Sequence, residues 1–392
     1  MRLRFLLAAS AALLVSCGTE PIPPEISTVV SGNGFSCALV GEAAWCWGRN
    51  DFGQLGRGTT GGDSTPGPVE GDFRFRLLAA GERTTCGVTT DDMVRCWGHG
   101  RIFGLTAPSP NTVAITGVVP PGITYLGVGY SHGCVLMATG AAACFGTNNV
   151  GEIGQGSTQS TGALPATVVS GGHIFSQISV GAFATCGVES GKLWCWGGNF
   201  ATSLSATNNF GAVPTPTEVT LPFAIQRVDL GSAITCALDS ESQAWCWGSN
   251  VAAQLGRGIG TASLSSAEPM LVSGTSKFQA LALSNLNSTI THTCGIDLTG
   301  ATLCWGLGEA SQLGRVASET CVVSSTTSYP CSGVPAGIEA ILSIKKLAPG
   351  RDHTCALTEQ GEVYCWGSDA RRQLGGSIGG STRLGIRVDL PR

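Results

Sequence analysis

Short runs in which apolar and polar residues alternate recur from residue 26 onward, and none of them keeps the 3.6-residue period of an amphipathic helix. Phe75-Arg-Leu-Leu-Ala-Ala80, Phe175-Ser-Gln-Ile-Ser-Val180 and Ile225-Gln-Arg-Val-Asp-Leu230 are such runs, each followed by a glycine that permits a tight turn. Two more short runs follow each of them, joined by a polar or glycine-bearing tip such as Gly41-Glu42, Thr90-Asp91-Asp92, Ser190-Gly191 or Gln360-Gly361. Short hairpin loops need that composition. Stretches such as Pro216-Thr-Glu-Val219 and Pro269-Met-Leu-Val272 supply a fourth strand. The pattern therefore predicts small antiparallel sheets of four strands, used repeatedly.

Seven copies of one unit can be aligned by eye. They run Phe35-Ser-Cys-Ala-Leu to Cys46-Trp-Gly48, Thr84-Thr-Cys-Gly-Val to Cys96-Trp-Gly98, His132-Gly-Cys-Val-Leu to Cys144-Phe-Gly146, and Ala184-Thr-Cys-Gly-Val to Cys195-Trp-Gly197. The last three run Ile234-Thr-Cys-Ala-Leu to Cys246-Trp-Gly248, His292-Thr-Cys-Gly-Ile to Cys304-Trp-Gly306, and His353-Thr-Cys-Ala-Leu to Cys365-Trp-Gly367. Their first cysteines are spaced by about 50 residues, lengthening to about 60 in the last two intervals. A second signature follows in five copies: Phe52-Gly-Gln-Leu-Gly-Arg57, Val150-Gly-Glu-Ile-Gly154, Gln254-Leu-Gly-Arg257, Gln312-Leu-Gly-Arg315 and Gln373-Leu-Gly375. Four short strands at this period fit radial repetition, which protects sheet edges and escapes the size limit of a single core. The expected fold is all-β: a seven-bladed β-propeller of four-stranded antiparallel blades over residues 26–392. The aromatic after each second cysteine, Trp47 to Trp366 with Phe145 in copy three, is expected to fill the gap between neighbouring sheets.

These motifs resemble the regulator of chromosome condensation family, whose repeat is close to His-Thr-Cys-Ala-Leu, then Cys or Ser with Trp-Gly, then Asn-x-x-Gly-Gln-Leu-Gly. The resemblance covers residues 26 to 392 and implies the propeller fold. It implies little about function, since that family ranges from nucleotide exchange factors to secreted bacterial inhibitors. Copies two and four depart most, with Ile102-Phe-Gly104 and Ala201-Thr-Ser-Leu204 in place of Gln-Leu-Gly, so altered loops are expected there. The end segment Val388-Asp-Leu-Pro391 parallels Val219-Thr-Leu-Pro222, and Ile26-Ser-Thr-Val-Val30 opens copy one, so the two ends are expected to meet and close the ring.

The first residues carry a different signal. Arg2 and Arg4 precede the apolar run Phe5 to Val15, which is the arrangement of an export signal and too short to span a bilayer permanently. Leu14-Val15-Ser16-Cys17 resembles the bacterial lipobox. That resemblance implies a signal peptide over 1–16, lipid on Cys17 and a tether over 17–25. Gly18 after the cysteine favours the outer membrane or cell surface. The proline-rich stretch 18–25 would hold the folded part within roughly 25 Å of the lipid at about 3 Å per residue.

Beyond Cys17, the remaining 16 of 17 cysteines form eight pairs nine or ten residues apart. Seven pairs bracket the hairpins: Cys37 and Cys46, Cys86 and Cys96, Cys134 and Cys144, Cys186 and Cys195, Cys236 and Cys246, Cys294 and Cys304, Cys355 and Cys365. Residues opposed across a hairpin share one face at a separation a disulfide can bridge, and export favours oxidation. Metal binding or thiol exchange would call for closer spacing of the Cys-x-x-Cys kind. The eighth pair, Cys321 and Cys331, lies in an enlarged segment of copy six, Val316 to Glu339, and flanks Tyr329. It is read either as a stapled recognition loop or as a neutral insertion pinned against proteolysis.

Candidate chemistry is sparse. With a net charge of −4 and only four lysines, the chain has no basic stripe for a phosphate backbone, and nucleic acid is not an expected partner. It holds no phosphate loop, zinc helix, calcium loop or nucleophile elbow. His132, His292 and His353 occupy one repeated position two residues before a cysteine, which favours a structural role over a metal site. Arg57, Arg257 and Arg315 follow the Gln-Leu-Gly signature and either meet an acidic partner or cap turns. The expectation is a monomeric, non-catalytic binding scaffold without cofactor or metal, lipid-anchored at the cell envelope and presenting its loops to a protein or, second, a glycan. The competing readings are a hydrolase or lyase using a propeller face or axial pocket, and a purely structural envelope protein.

Overall fold

A computed structural model of the chain describes residues 24–392 except 106, 118–120, 201–210, 260–264, 325, 341, 377–378 and 392. Those residues form seven antiparallel sheets, each drawn from one consecutive stretch of chain. Blade one comprises the strands Ile26–Ser31, Phe35–Val40, Ala43–Gly48 and Ser64–Pro68, hydrogen-bonded in that order. The first strands of the next six blades start at Phe75, Ile123, Gln177, Ile225, Phe278 and Ile344. All seven first strands line one axial cavity. Six sheets have four strands; blade six adds a fifth, Glu319–Ser324, outside its fourth strand Thr327–Gly337.

The core is divided among the seams. Seven buried clusters each join two adjacent blades, and one aromatic of a third strand sits in each: Trp47, Trp97, Phe145, Trp196, Trp247, Trp305 and Trp366. None of these rings is more than 1% exposed. Alternation along the strands explains the division of labour. Each aromatic, and the residue opposite it on strand two, turns toward the preceding blade, while the cysteine between turns toward the following one. The chain ends meet as expected: Ile26, Val388 and Leu390 share the cluster between blades seven and one.

Five of the seam indole N–H groups are satisfied across the seams by the second signature. Trp97 donates to the backbone oxygen of Gln54 at 2.9 Å, Trp305 to that of Gln254 at 2.9 Å, Trp366 to that of Gln312 at 3.0 Å, and Trp47 to that of Gln373 at 3.0 Å. Trp196 uses Glu152, the residue standing in for glutamine in blade three, at 3.1 Å. In three seams the same oxygen also accepts from a threonine opposite the tryptophan: Thr85, Thr293 and Thr354. The signature is thus a turn whose exposed carbonyl docks the next blade.

Blade two lacks the signature, and blade three compensates. A short 3₁₀ helix, Gly100–Phe103, replaces the turn, and Ile102 enters the seam where the signature's leucine, or Ile153 in blade three, stands elsewhere. Opposite, Phe145 has no N–H and Gly133 no hydroxyl, so both donors are missing where the acceptor turn is missing. An unpaired buried donor would cost about 1–3 kcal/mol, which the paired substitution avoids. Gly133 also makes room: a Cβ there would lie 2.6 Å from the Phe145 ring. Ala201 to Leu204 of blade four lie outside the described residues.

Eight disulfides are present, pairing Cys37 with Cys46, Cys86 with Cys96, Cys134 with Cys144, Cys186 with Cys195, Cys236 with Cys246, Cys294 with Cys304, Cys355 with Cys365 and Cys321 with Cys331. Seven join directly opposed residues of strands two and three, with Cα atoms 4.0–4.1 Å apart. Such bridges belong to an oxidising environment. No helix among the described residues is long and apolar enough to cross a membrane.

Candidate functional site

The three repeated histidines are interblade fasteners. His132 Nε2 lies 3.0 Å from Thr185 Oγ1 of blade four, His292 Nε2 2.8 Å from Thr354 Oγ1 of blade seven, and His353 Nε2 2.8 Å from Ser36 Oγ of blade one. Because Thr354 donates its own proton to the backbone oxygen of Gln312, it accepts from His292, which fixes that ring's tautomer with the proton on Nε2. Burial holds all three rings neutral by driving their pKa values down to about 3.

Arg57 and Arg315 turn inward to the fourth strand. Arg57 donates to the backbone oxygens of Cys46, Thr65 (2.8 Å) and Gly67 (3.3 Å), where the third-to-fourth strand ladder shifts register. Arg315 donates to the backbone oxygens of Cys304 and Val316 and to the Ser332 hydroxyl. Arg257 lies against Met270. All three are half-buried, and desolvation lowers their pKa values. These donors brace the blade rim.

The segment Val316 to Glu339 is a hairpin, and its outer arm is the fifth strand of blade six. Cys321 and Cys331 bridge the arms diagonally, with Cα atoms 5.8 Å apart, and pack on Ala253 of blade five. Tyr329 pairs with Cys321 in register and is half-buried. Val322 is 69% exposed on the edge strand, and Val316 is 63% exposed.

A second site lies on the axis, where sequence reading named no residue. First strands enter at one face and leave at the other, so one ring of equivalent positions surrounds each depth of the channel. The position paired with the second-strand residue two past the cysteine is Thr28, Leu77, Tyr125, Gln177, Arg227, Ala280 and Lys346 in blades one to seven. Tyr125, Arg227 and Lys346 reach the lumen from this ring. Comparison of that one position across the seven repeats would have singled it out.

Arg227 holds Asp229 of the same strand with two bonds, Nε to Oδ2 at 2.8 Å and Nη2 to Oδ1 at 3.0 Å. Lys346 Nζ donates across the closing seam to Thr28 Oγ1. Protein surrounds Lys346 while its surface faces the lumen; burial and then the like charge of Arg227 hold its pKa below the usual lysine value. Burial raises Tyr125 to about 12, with Asp229 adding to the effect. Gln177 bonds both backbone groups of Val228, donating to O at 2.7 Å and accepting from N at 2.9 Å, and so seals blade four to blade five.

The far end of the channel is plugged. Blade six joins its first two strands, Phe278–Leu283 and His292–Asp297, by residues 284–291, whereas blade five needs only 231–233. The longer loop crosses the axis. Asn285 donates to the backbone oxygen of Val128 in blade three at 2.8 Å, the backbone N–H of Asn287 donates to the Glu82 carboxylate of blade two at 3.2 Å, and Leu286 is buried. A cavity of about 230 Å³ remains above the plug. It widens at the open mouth into a wedge of about 320 Å³ between blades six and seven.

Seven sheets in a closed ring, each with its own cross-strand bridge and sharing its aromatic with the preceding blade, define a disulfide-bridged seven-bladed β-propeller. The family model for the regulator of chromosome condensation (RCC1) repeat matches residues 43–88 and 344–373. Those two stretches carry the repeat, and the remaining blades share its fold. It is 27% identical over 369 residues to the RCC1 domain-containing protein RUG3, mitochondrial, of Arabidopsis thaliana, covering 84% of this chain and 78% of that protein. It is 28% identical over 247 residues to the Ultraviolet-B receptor UVR8 of the same plant, covering 60% of this chain and 55% of the receptor. Among solved structures, Prp20p from Saccharomyces cerevisiae superposes with a TM-score of 0.75 at 16% identity, covering 94% of this chain and 88% of that one. Human WBSCR16 gives a TM-score of 0.71 at 18% identity, with 89% and 94% covered. The structural likenesses show the shared fold. Prp20p has been studied for its binding to Gsp1p and histones.

Proposed function

We propose that the chain is a non-catalytic binding scaffold, exported and held at the bacterial envelope by lipid on Cys17, that offers the blade-six hairpin to a protein partner. Cys17 and the whole segment 1–23 lie outside the described residues. The observation that carries the reading is the hairpin itself: an open strand edge with Val322 at its surface, stapled by Cys321 and Cys331, on a ring whose other blades have four strands among the described residues. Exposed strand edges recruit a further strand, and a rigid hairpin loses little entropy when one docks. The repeats' likeness to a receptor and to a protein studied for its binding partners accords with a binding role. Within the channel, Asp229 spends its carboxylate on Arg227, which disfavours it as the general base of a hydrolase or lyase.

Affinity purification of the tagged full chain from envelopes tests the reading when paired with Val322→Asp and Tyr329→Ala. Both variants are expected to lose a partner that wild type and Lys192→Met retain; equal recovery by all four would move the partner elsewhere. Radiolabelled palmitate is expected in wild type and not in Cys17→Ala, and equal labelling would remove Cys17 as the anchor.

A further inference from the structure

We propose that the open mouth of the axial channel binds a small organic carboxylate with an apolar body. The wedge of about 320 Å³ there is bounded by three cations, Arg227, Lys345 and Lys346, and walled by residues such as Leu281, Ile296 and Leu357. No carboxylate lines it among the described residues, and it takes two of the chain's four lysines. Asp229 lies deeper and answers only the Nε and Nη2 side of Arg227, leaving three of five guanidinium N–H groups for another acceptor.

A lysine serving only solubility extends into water. Lys346 instead turns into the lumen, where its ammonium bonds Thr28 Oγ1 and lies near the like-charged Arg227. A group of one sign in a low-dielectric cleft focuses its field on whatever enters, and an anion would relieve the repulsion between the two cations. The apolar walls would take the ligand's body, as small-molecule sites generally do with a few convergent polar groups fixing orientation. The plug formed by residues 284–291 makes the channel blind, so a ligand enters and leaves by the mouth. The inference is independent of the partner-binding role of the hairpin.

The test is calorimetric titration of the full chain in neutral detergent with benzoate, against benzyl alcohol, which lacks the charge, and acetate, which lacks the body. One benzoate per chain is expected, with both comparison compounds at least tenfold weaker. Lys346→Met should weaken benzoate at least tenfold, and Leu281→Trp, which fills the wedge but keeps every cation, should do the same. Lys192→Met, whose lysine pairs with Glu218 away from the axis, should not. Near-UV circular dichroism verifies each variant's packing. Benzyl alcohol binding as well as benzoate, or both pocket variants retaining wild-type affinity, or no benzoate binding at millimolar concentration, would each overturn the proposal.

Discussion

Two rings of equivalent positions run around this propeller, and they differ in how much the repeats have kept. In the seam ring one aromatic recurs in every blade, and the single exchange of tryptophan for Phe145 comes with matching exchanges at Gly133 and Ile102. In the axial ring the seven residues are Thr28, Leu77, Tyr125, Gln177, Arg227, Ala280 and Lys346, with no two alike. Seam residues must satisfy a neighbour cut from the same pattern, so a change on one side requires a change on the other. Of the axial residues, Tyr125, Arg227 and Lys346 face the lumen and answer to whatever occupies it, while Leu77 and Gln177 pack into their own seams. Repetition therefore marks what builds the ring, and its loss marks where the chain has acquired something individual.

Acid should separate the rings most strongly. His132, His292 and His353 are held neutral in three seams with pKa values near 3, while an unfolded histidine titrates near 6.5. Between those values the unfolded chain binds more protons than the folded one, so stability present above pH 6.5 is lost as the pH falls toward 3. Two pH units below 6.5 amount to up to about 2.7 kcal/mol per histidine. Denaturant midpoints should fall steeply from pH 6.5 to 4.5, and the slope should shrink in His292→Gln. An unchanged slope would mean that this histidine's proton is not linked to folding.

Next in size, Trp305→Ala should cost about 3–5 kcal/mol by urea unfolding, since it empties a filled seam and removes a bond to Gln254. Phe145→Trp should also destabilise, by about 1–3 kcal/mol, because blade two offers no matching turn and Gly133 marks a tight fit. A neutral Phe145→Trp would show that this seam is slack rather than adapted. Smallest of all, Lys346→Met should shift stability by less than about 0.5 kcal/mol, removing a charge with one hydrogen bond and no carboxylate partner. A loss of several kcal/mol would make the axial ring structural as well.

Much of the seam was legible before any coordinates. The cysteine spacing of nine or ten places each pair across its hairpin, and the period counts the blades. A further correlation is readable in the sequence. Where glycine follows the first cysteine, at Gly87, Gly187 and Gly295, the same blade carries Phe75, Phe175 or Phe278, and a Cβ on the glycine would lie 2.5–2.7 Å from that ring. The four other copies carry Ala or Val there and an isoleucine instead of phenylalanine. The site was harder. Arg57 and Arg315 look like free donors in sequence, and only the register shift beside them shows the carbonyls they answer.

The repeat, the strand order within each blade and the residues that meet within one hairpin or one seam are all written along the chain, because these contacts lie within a repeat or between neighbouring repeats. Tertiary structure alone decided the axis. Asn285 meets Val128 and Asn287 meets Glu82 only because closing the ring brings blades two, three and six to one point. Lys346 meets Thr28 because the last blade packs on the first. Local pattern encodes no such meeting: it depends on the accumulated rotation of seven sheets, to which every seam contributes and which no single stretch of chain contains.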